Sequence, residues 1–392
     1  MTTTKDHPLT GMSPRSLTVD DVIFTEATPH QRTLSWQLNA ASWAPPVMSI
    51  EQYVGREHLL SETTLSRDGG TRYYILHSKD DPETIISSCE VTSKKVFIAT
   101  PGSDGPGEVV QPEKAYAIAS VFTNPLYRGR GMASYMLKRV QEIVDGQDGM
   151  ECGVLYSDIG REYYTRLGWK DHKSPQLVFE ILEGHDAGHD NFPRGLEMLR
   201  VQQEGEIEEL CEQDVKMLRN RFSLLASLVT SRKDKTHVAF LPDWEQMSWH
   251  FAKVDYMAKL MGNGREVVNR GARTNDGKNW ILWDHDLRGN KLQVLRLVLS
   301  EESTDDEKKK GEDVKLLLSA ALKEAVEWEL KKVVIWQPLA LLSMAAVLLW
   351  GENPKFKLTF EQREDGSIPS LRWKCGEKME TVWEDNEYYA WC

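Results

Sequence analysis

Apolar residues recur along this chain with two spacings, and the switches between them mark its elements. Val22-Ile23-Phe24 supplies a first strand, and Thr28-Pro29 follows as a helix N-cap with proline at the first helical position. Leu34, Trp36 and Leu38 give that helix its apolar face. Pro45-Pro46 stops it, and Ser49-Ile50-Glu51-Gln52 reads as a capping box that opens a second helix. Asp68-Gly69-Gly70 turns the chain into the strand Tyr73-Tyr74-Ile75-Leu76, and Asp81-Pro82 turns it again into a β-rich run from Ile85 to Ala99. Beyond a Gly/Pro-rich loop from Pro101 to Pro112, Ala115 to Thr123 is a mostly apolar strand. A glycine turn then opens a helix in which Ala133, Met136, Leu137, Val140, Ile143 and Val144 keep helical spacing, with Lys138, Arg139, Gln141 and Glu142 outward. The strand Gly153 to Tyr156, a short helix and the strand Leu177 to Leu182 follow.

The order β-α-α-β-β-β-α-β-α-β predicts a mixed sheet, because strands flanking a helix are usually parallel and strands joined by a tight turn antiparallel. A first domain over residues 16–190 is expected, after a frayed tail over 1–15, with the charged stretch Gly184 to Asn191 as linker. Residues 191–392 then form a second, α+β domain. There, Val238-Ala239-Phe240 precedes a helix carrying Met247, Trp249 and Phe251, and Ile281-Leu282-Trp283 and Leu292 to Leu299 form a hairpin through Gly289-Asn290. After the solvated charge run Glu301 to Glu312 come an amphipathic helix from Val314 to Leu330 and a strand from Val333 to Trp336. A buried helix from Leu339 to Trp350 and alternating strands around Phe356-Leu358-Phe360 and Leu371-Trp373-Cys375 complete the chain. The rhythm repeats that of the first half, without a glycine turn before Val314, and suggests a degenerate copy of it.

Length agrees with this division: 392 residues exceed what one core usually supports. The net charge of -12 argues against a nucleic-acid or anionic-membrane partner and tolerates a small cationic one. Five cysteines without a C-x-x-C pair suit free thiols in a reducing compartment, with no zinc site. No apolar run reaches the about 18 residues a membrane span requires, and the first residues lack a signal-peptide core, so a cytoplasmic location is expected.

The chemistry concentrates in Thr123-Asn124-Pro125-Leu126-Tyr127-Arg128-Gly129-Arg130-Gly131-Met132-Ala133, between a buried strand and an amphipathic helix. Glycines let backbone amides converge on one concavity, and a helix start adds unpaired N–H groups and a positive dipole end, so such a turn suits a pyrophosphate. A Walker loop would end Gly-Lys-Ser/Thr, where this chain has Gly131-Met132-Ala133. A dinucleotide fingerprint would need three glycines after the first strand of its unit, and only two occur here, after several strands. An ordinary glycine-rich turn is the alternative.

The hexamer Arg128 to Ala133 resembles the R/Q-x-x-G-x-G/A signature of the GNAT acetyltransferase superfamily, and Tyr163-Tyr164-Thr165-Arg166-Leu167-Gly168-Trp169 resembles the segment that closes the same fold. More narrowly, Ile86 to Glu90, Ala117 to Phe122, Tyr156 to Gly160 and Met247 to His250 look like the fungal lysine N-acetyltransferases of lysine catabolism. The resemblance implies an α/β fold with a mixed central sheet of GNAT type, and acetyl-CoA as cosubstrate, with no metal. It implies that the backbone of Val121, Phe122 and Thr123 meets the acetyl carbonyl and pantetheine arm. The amides of Arg128, Gly129, Arg130, Gly131, Met132, Ala133 and Ser134 would then hold the pyrophosphate. Ser157 stands where many relatives place an asparagine that contacts CoA, and Tyr164 where relatives keep a tyrosine that protonates the departing thiolate.

Acetylation needs a neutral amine, yet a lysine ammonium of pKa ~10.4 leaves roughly one molecule in a few thousand reactive at pH 7. Relatives carry Glu or His on the strand before the turn, where this chain reads Ala117 and Ala119. Glu90 on the neighbouring strand is the candidate base or ammonium anchor, and Trp36, Trp43 and Tyr53 are candidates to cradle an aliphatic ammonium. Cys89 reads as a packing cysteine and His250 as a hydrogen-bonded structural residue. The expected reaction is acetyl transfer to a small amine, foremost the side-chain nitrogen of free L-lysine, with a protein or polyamine acceptor, or a non-catalytic CoA-binding protein, as alternatives.

Overall fold

The computed structural model describes residues 17–100, 110–182, 193–229, 235–300, 307–352, 355–377 and 379–391. The tail over 1–15, the linker Gly184 to Asn191 and most of the Pro101 to Pro112 loop lie outside these residues. In chain order the first half comprises β1 (Val22–Glu26), α1 (Pro29–Trp43), α2 (Ile50–Ser61), β2 (Thr71–Ser78), β3 (Ile85–Ala99), β4 (Glu113–Thr123), α3 (Met132–Asp145), β5 (Met150–Ser157), α4 (Glu162–Thr165), β6 (Lys170–Asp171) and β7 (Pro175–Ile181). Both expected caps form: Thr28 Oγ1 accepts the Gln31 amide while the Gln31 side chain accepts the Thr28 amide, and Ser49 and Gln52 do the same for α2.

The second half comprises β8 (Leu196–Arg200), α5 (Glu204–Val229), β9 (Lys235–Phe240), α6 (Trp244–Met261), β10 (Asn269–Thr274), β11 (Trp280–Asp286), β12 (Lys291–Val298), α7 (Glu307–Glu327), β13 (Lys332–Trp336), α8 (Ala340–Glu352), β14 (Phe356–Gln362), β15 (Ile368–Trp373) and β16 (Glu380–Trp383). Three features depart from the sequence reading. Helix α5 was not expected, because Asp214 interrupts the stripe Ile207, Leu210, Leu218, Phe222; the carboxylate is buried and held by two hydrogen bonds from Arg296. Helix α7 begins inside the run read as solvated charge. And α8 is not buried all round: Leu342, Ala345, Ala346 and Leu349 pack inward, while Met344 (64% exposed) and Leu348 (57%) face out.

Two mixed sheets result, and they exchange strands. The first runs β1-β2-β3-β4-β5-β15-β6, with β9 on the far end of β3 and β16 on β9; the second runs β14-β7-β13-β12-β11-β10-β8. In each, a helix crossover joins two parallel strands, β4 to β5 around α3 and β12 to β13 around α7. In each, the outer edge of the second parallel strand is covered by a strand from the other half: β15 pairs antiparallel with β5, and β7 with β13. The repeated arrangement is that of a second, GNAT-like unit. The boundary near residue 190 therefore does not divide the sheets, since β7 belongs to the second and β9, β15 and β16 to the first. A shared core follows, in which Ala117, Val154 and Leu371 pack in one cluster with Leu282, Leu295, Val334 and Trp336. No helix among the described residues is long and apolar enough to cross a membrane.

Because β5 needs β15 to satisfy its outer edge, residues 1–190 expressed alone are expected to lack a cooperative thermal transition by circular dichroism, whereas the full chain melts cooperatively.

Candidate active site

The cofactor cleft begins where two parallel strands part. β4 and β5 pair from Lys114 with Met150 to Ala117 with Val154 and no further, while β5 continues to Ser157 alongside β15. The β5-facing edge of β4 beyond Ala117 is thus open. A bulge aims it: Ser88 pairs with Phe122 and Glu90 with Ala119, which leaves one extra residue on β4, and Ser120 takes φ 51°. A left-handed backbone at a residue other than glycine costs about 1–2 kcal/mol, typical of strain kept at a functional position. Val121, Phe122 and Thr123 follow along the open edge. Phe122 lies edge-on to Trp43 at 5.6 Å and under the Arg128 guanidinium at 5.2 Å.

At the end of β4, a tight turn over Pro125–Tyr127 is capped by the Asn124 side chain, which accepts the Leu126 amide at 3.1 Å. Gly129 (φ 76°) and Gly131 (φ 77°) then adopt the left-handed conformation, and no atom lies within 4 Å of where a Cβ would stand on either. The space they leave is open. Gly131 caps α3 without a side-chain acceptor, so the amides of Met132, Ala133 and Ser134 at the helix start have no side-chain cap. Open space, left-handed glycines and an uncapped helix start fit a pyrophosphate. The two arginines shape the turn itself: Arg128 Nε donates to the Thr123 carbonyl at 3.0 Å and Arg130 to the Leu126 carbonyl at 3.3 Å.

Tyr164 and its neighbour sit beside this helix start. Tyr163 bonds Ser134 Oγ at 3.0 Å. Tyr164 packs edge-on between Tyr163 and Trp169, its hydroxyl has no hydrogen-bond partner among the described residues, and burial pushes its pKa up, which keeps it protonated as an acid must be. Ser157 departs from expectation. It is 1% exposed, and its hydroxyl donates to the Gly160 carbonyl at 2.6 Å and accepts the Ile159 amide, so it closes the turn after β5 and has no proton to offer CoA. Cys89 is buried among apolar groups, with its thiol pKa pushed up.

Opposite the cleft, a cavity of about 380 Å³ opens between the two halves. From the first half Trp43, Tyr53, Arg56, Glu57, Glu90, Ala119 and Ser120 line it; from the second, Trp249, Lys253, His285, Lys291, Tyr388 and Trp391. Glu90 reaches it from β3, directly across from Ala119. The carboxylate that β4 lacks at Ala117 and Ala119 is therefore supplied by the neighbouring strand. Burial raises the Glu90 pKa, the Glu57 carboxylate raises it further, and the Trp36 and Ser120 side chains and Arg56 oppose them, leaving it at about 8.

Of the three aromatic candidates, Trp43 and Tyr53 line the cavity and Trp36 does not. Trp36 is 3% exposed, edge-on to Tyr73, with the Arg32 guanidinium 5.0 Å from its ring. It is a backing residue for Glu90, and its cation site is already filled. Tyr53 likewise carries Arg56 over its ring at 4.7 Å, which leaves Trp43 as the available face. His250 is fully buried, bonds the Tyr389 carbonyl through Nε2 at 3.0 Å, and has its pKa lowered by burial, in keeping with a structural histidine. Sequence reasoning missed Ser120, Glu57, Lys253, His285 and Lys291, none of which has a local signal. Among the described residues no cluster of three metal-ligating side chains occurs.

This constellation, an open β4 edge, a left-handed glycine turn and a carboxylate-bearing cavity, defines an acetyltransferase of GNAT type. The LYC1 GNAT-like C-terminal domain family matches residues 190–392, more than half of the chain, and the protein belongs to that family. An uncharacterized protein of Saccharomyces cerevisiae is 25% identical over 95% of this chain and 98% of its own length. A lysine acetyltransferase of Yarrowia lipolytica is 23% identical over 74% of this chain and 78% of its own. A crystal structure of a probable N-acyltransferase from Enterococcus faecalis shares the fold, with a TM-score of 0.53 at 10% identity, over 90% of this chain and 72% of that one.

Two outcomes follow. Gly131→Val places a β-branched residue at φ 77° and is expected to weaken CoA binding about tenfold or more by isothermal titration, with little change in melting temperature. Glu90 binds its proton more tightly folded than unfolded, so its contribution to stability falls as pH rises from the ordinary carboxylate range through about 8. Glu90→Gln removes that loss, and its melting temperature relative to the parent protein is expected to rise from pH 5 to about pH 8 and to level off above it.

Proposed function

We propose that this protein transfers the acetyl group of acetyl-CoA to the amino group of a small acceptor, foremost N6 of free L-lysine. The observation that carries the reading is Glu90: a carboxylate poised near neutrality, lining a cavity across from the bulge of β4. A general base works best when its pKa lies near the operating pH. A cavity of about 380 Å³ has the size of a small-molecule site, which supports a compact acceptor over a protein tail. The name of the Yarrowia relative and the negative net charge of the chain support a cationic amino acid. We place the reaction in the cytoplasm, in amino-acid degradation, a setting that the unpaired cysteines support.

In this reading Glu90 accepts a proton from the acceptor ammonium, and the freed lone pair attacks the thioester carbonyl. The carbon–sulfur bond then breaks as the Tyr164 hydroxyl protonates the sulfur. The second proton on the acetylated nitrogen returns through water to the Tyr164 phenolate, and Glu90 releases its proton to solvent. Backbone along Val121 to Thr123 orients the thioester, and the amides of the glycine turn take the pyrophosphate charge.

A thiol-release assay over lysine, ornithine, spermidine, an aryl amine and a histone peptide tests this, with lysine expected to give the highest kcat/KM. Glu90 acts as its carboxylate, so kcat/KM should rise with pH towards about 8. Glu90→Gln should lose that rise and about 10²-fold in rate, and Tyr164→Phe about tenfold in kcat with CoA affinity unchanged. Peak activity on the histone peptide, or profiles unmoved by either substitution, would overturn the assignment.

A further inference from the structure

The cavity is electrically lopsided. On the first-half wall Glu57, Glu90 and Asp158 face one cation, Arg56. On the second-half wall the balance inverts: Lys253, Lys291 and Arg288 face one lining carboxylate, Asp286, and Asp284 lies buried beside Lys253. Arg288 donates to the Trp43 and Pro45 backbone carbonyls. Asp284 is fully buried and shared, 3.1 Å from Lys253 Nζ and 3.4 Å from His250 Nδ1. Lys291 stands 3.7 Å from Asp286, beyond hydrogen-bond reach. Three rings, Trp249, Tyr388 and Trp391, frame the Lys253 ammonium at 4.8 to 5.8 Å and hold it in place without neutralising it. In a chain of net charge -12, an excess of positive charge on one half-buried wall runs against the general trend, and burying it is costly unless an anion answers it.

We infer that Lys253 and Lys291 bind the carboxylate of the acceptor, and that the second half thereby selects an amino acid with a free carboxylate over a plain polyamine. Burial and the neighbouring Lys253 and Lys332 ammonium groups depress the Lys291 pKa, a penalty that a bound carboxylate would relieve. The ammonium to be acetylated is then left to the first-half wall, at Glu90 and beside the open edge of β4. Selection of this kind works through differential affinity: an acceptor without the carboxylate leaves Lys253 to Asp284 and Lys291 to the more distant Asp286. The inference rests on the acetyl-transfer reading above and extends it to the choice of acceptor.

The test compares L-lysine with lysinamide and with 1,5-diaminopentane, which present the same side-chain amine without the charge, using the parent protein and acetyl-CoA. A charge-assisted contact predicts a KM for L-lysine at least about 30-fold below that of either analogue. In Lys291→Met, and in Lys253→Met combined with Asp284→Asn so that no buried carboxylate is orphaned, KM for L-lysine is expected to rise about tenfold or more. Its kcat should stay within about threefold, and KM for 1,5-diaminopentane should hold or fall. Equal KM values for the three amines in the parent protein overturn the inference while leaving acetyl transfer standing. So does a parallel rise for all three in the variants. Acetylation of none of them overturns both.

Discussion

The parting of β4 from β5 is the constraint on which the rest of this structure depends. Two parallel strands that separate after Ala117 and Val154 leave unpaired backbone on their facing edges, while the far edge of β5 stays paired. β4 keeps its open edge for a ligand, with the bulge at Ser120 aiming it. β5 covers its outer edge with β15, a strand that arrives from more than 200 residues further along the chain. The strand that flanks the cleft is thus held in its sheet by a strand of the second half.

The same exchange explains where the acceptor cavity lies. β7 goes out to pair with β13 and β15 comes back to pair with β5, so the two sheets share one core and the cavity is enclosed between them. The Arg296 cluster reinforces this closure: the guanidinium bonds Asp214 of α5 and lies 3.0 Å from Asp385, within the segment that delivers Tyr388 and Trp391 to the cavity. Each charge in that cluster is buried and each has a partner, the condition under which buried ions are tolerated.

The second half keeps the architecture of the first, with parallel strands around a crossover helix and a borrowed outer neighbour, but none of its cofactor chemistry. No glycine turn precedes α7. What it contributes is a wall of the cavity, with Lys253 on α6 and Lys291 on β12 sharing its lining with the carboxylates of α2 and β3. In the proposed reading the first half binds the cofactor and the second shapes the acceptor site, a division that accords with the glycine turn occurring in the first half alone.

Much of the first half was legible in the residues alone, because its signals are local. The caps Thr28 and Ser49, the glycines at 129 and 131 and the helical stripe of α3 each act within a few residues, so backbone chemistry decided them. Helix α5 was not legible, since Asp214 is polar at a buried position and its partner Arg296 is 82 residues away. The exposed face of α8 was not legible either, because an all-apolar segment does not say which side will be covered. In the site, Glu90 was identifiable as a carboxylate on the right strand, whereas its raised pKa comes from Glu57 and from burial, neither of which is encoded near it. Trp36 and Ser157 are engaged by near neighbours, the Arg32 guanidinium over the first and the Gly160 carbonyl beside the second, contacts that residue type alone does not announce. The sequence by itself determined most elements of the first half, the left-handed glycine turn and the membership of a fold class, all set by interactions between near neighbours. Only the tertiary structure decided which strands pair, how the cavity is walled and what charge it presents, because those depend on groups that meet across long loops of chain.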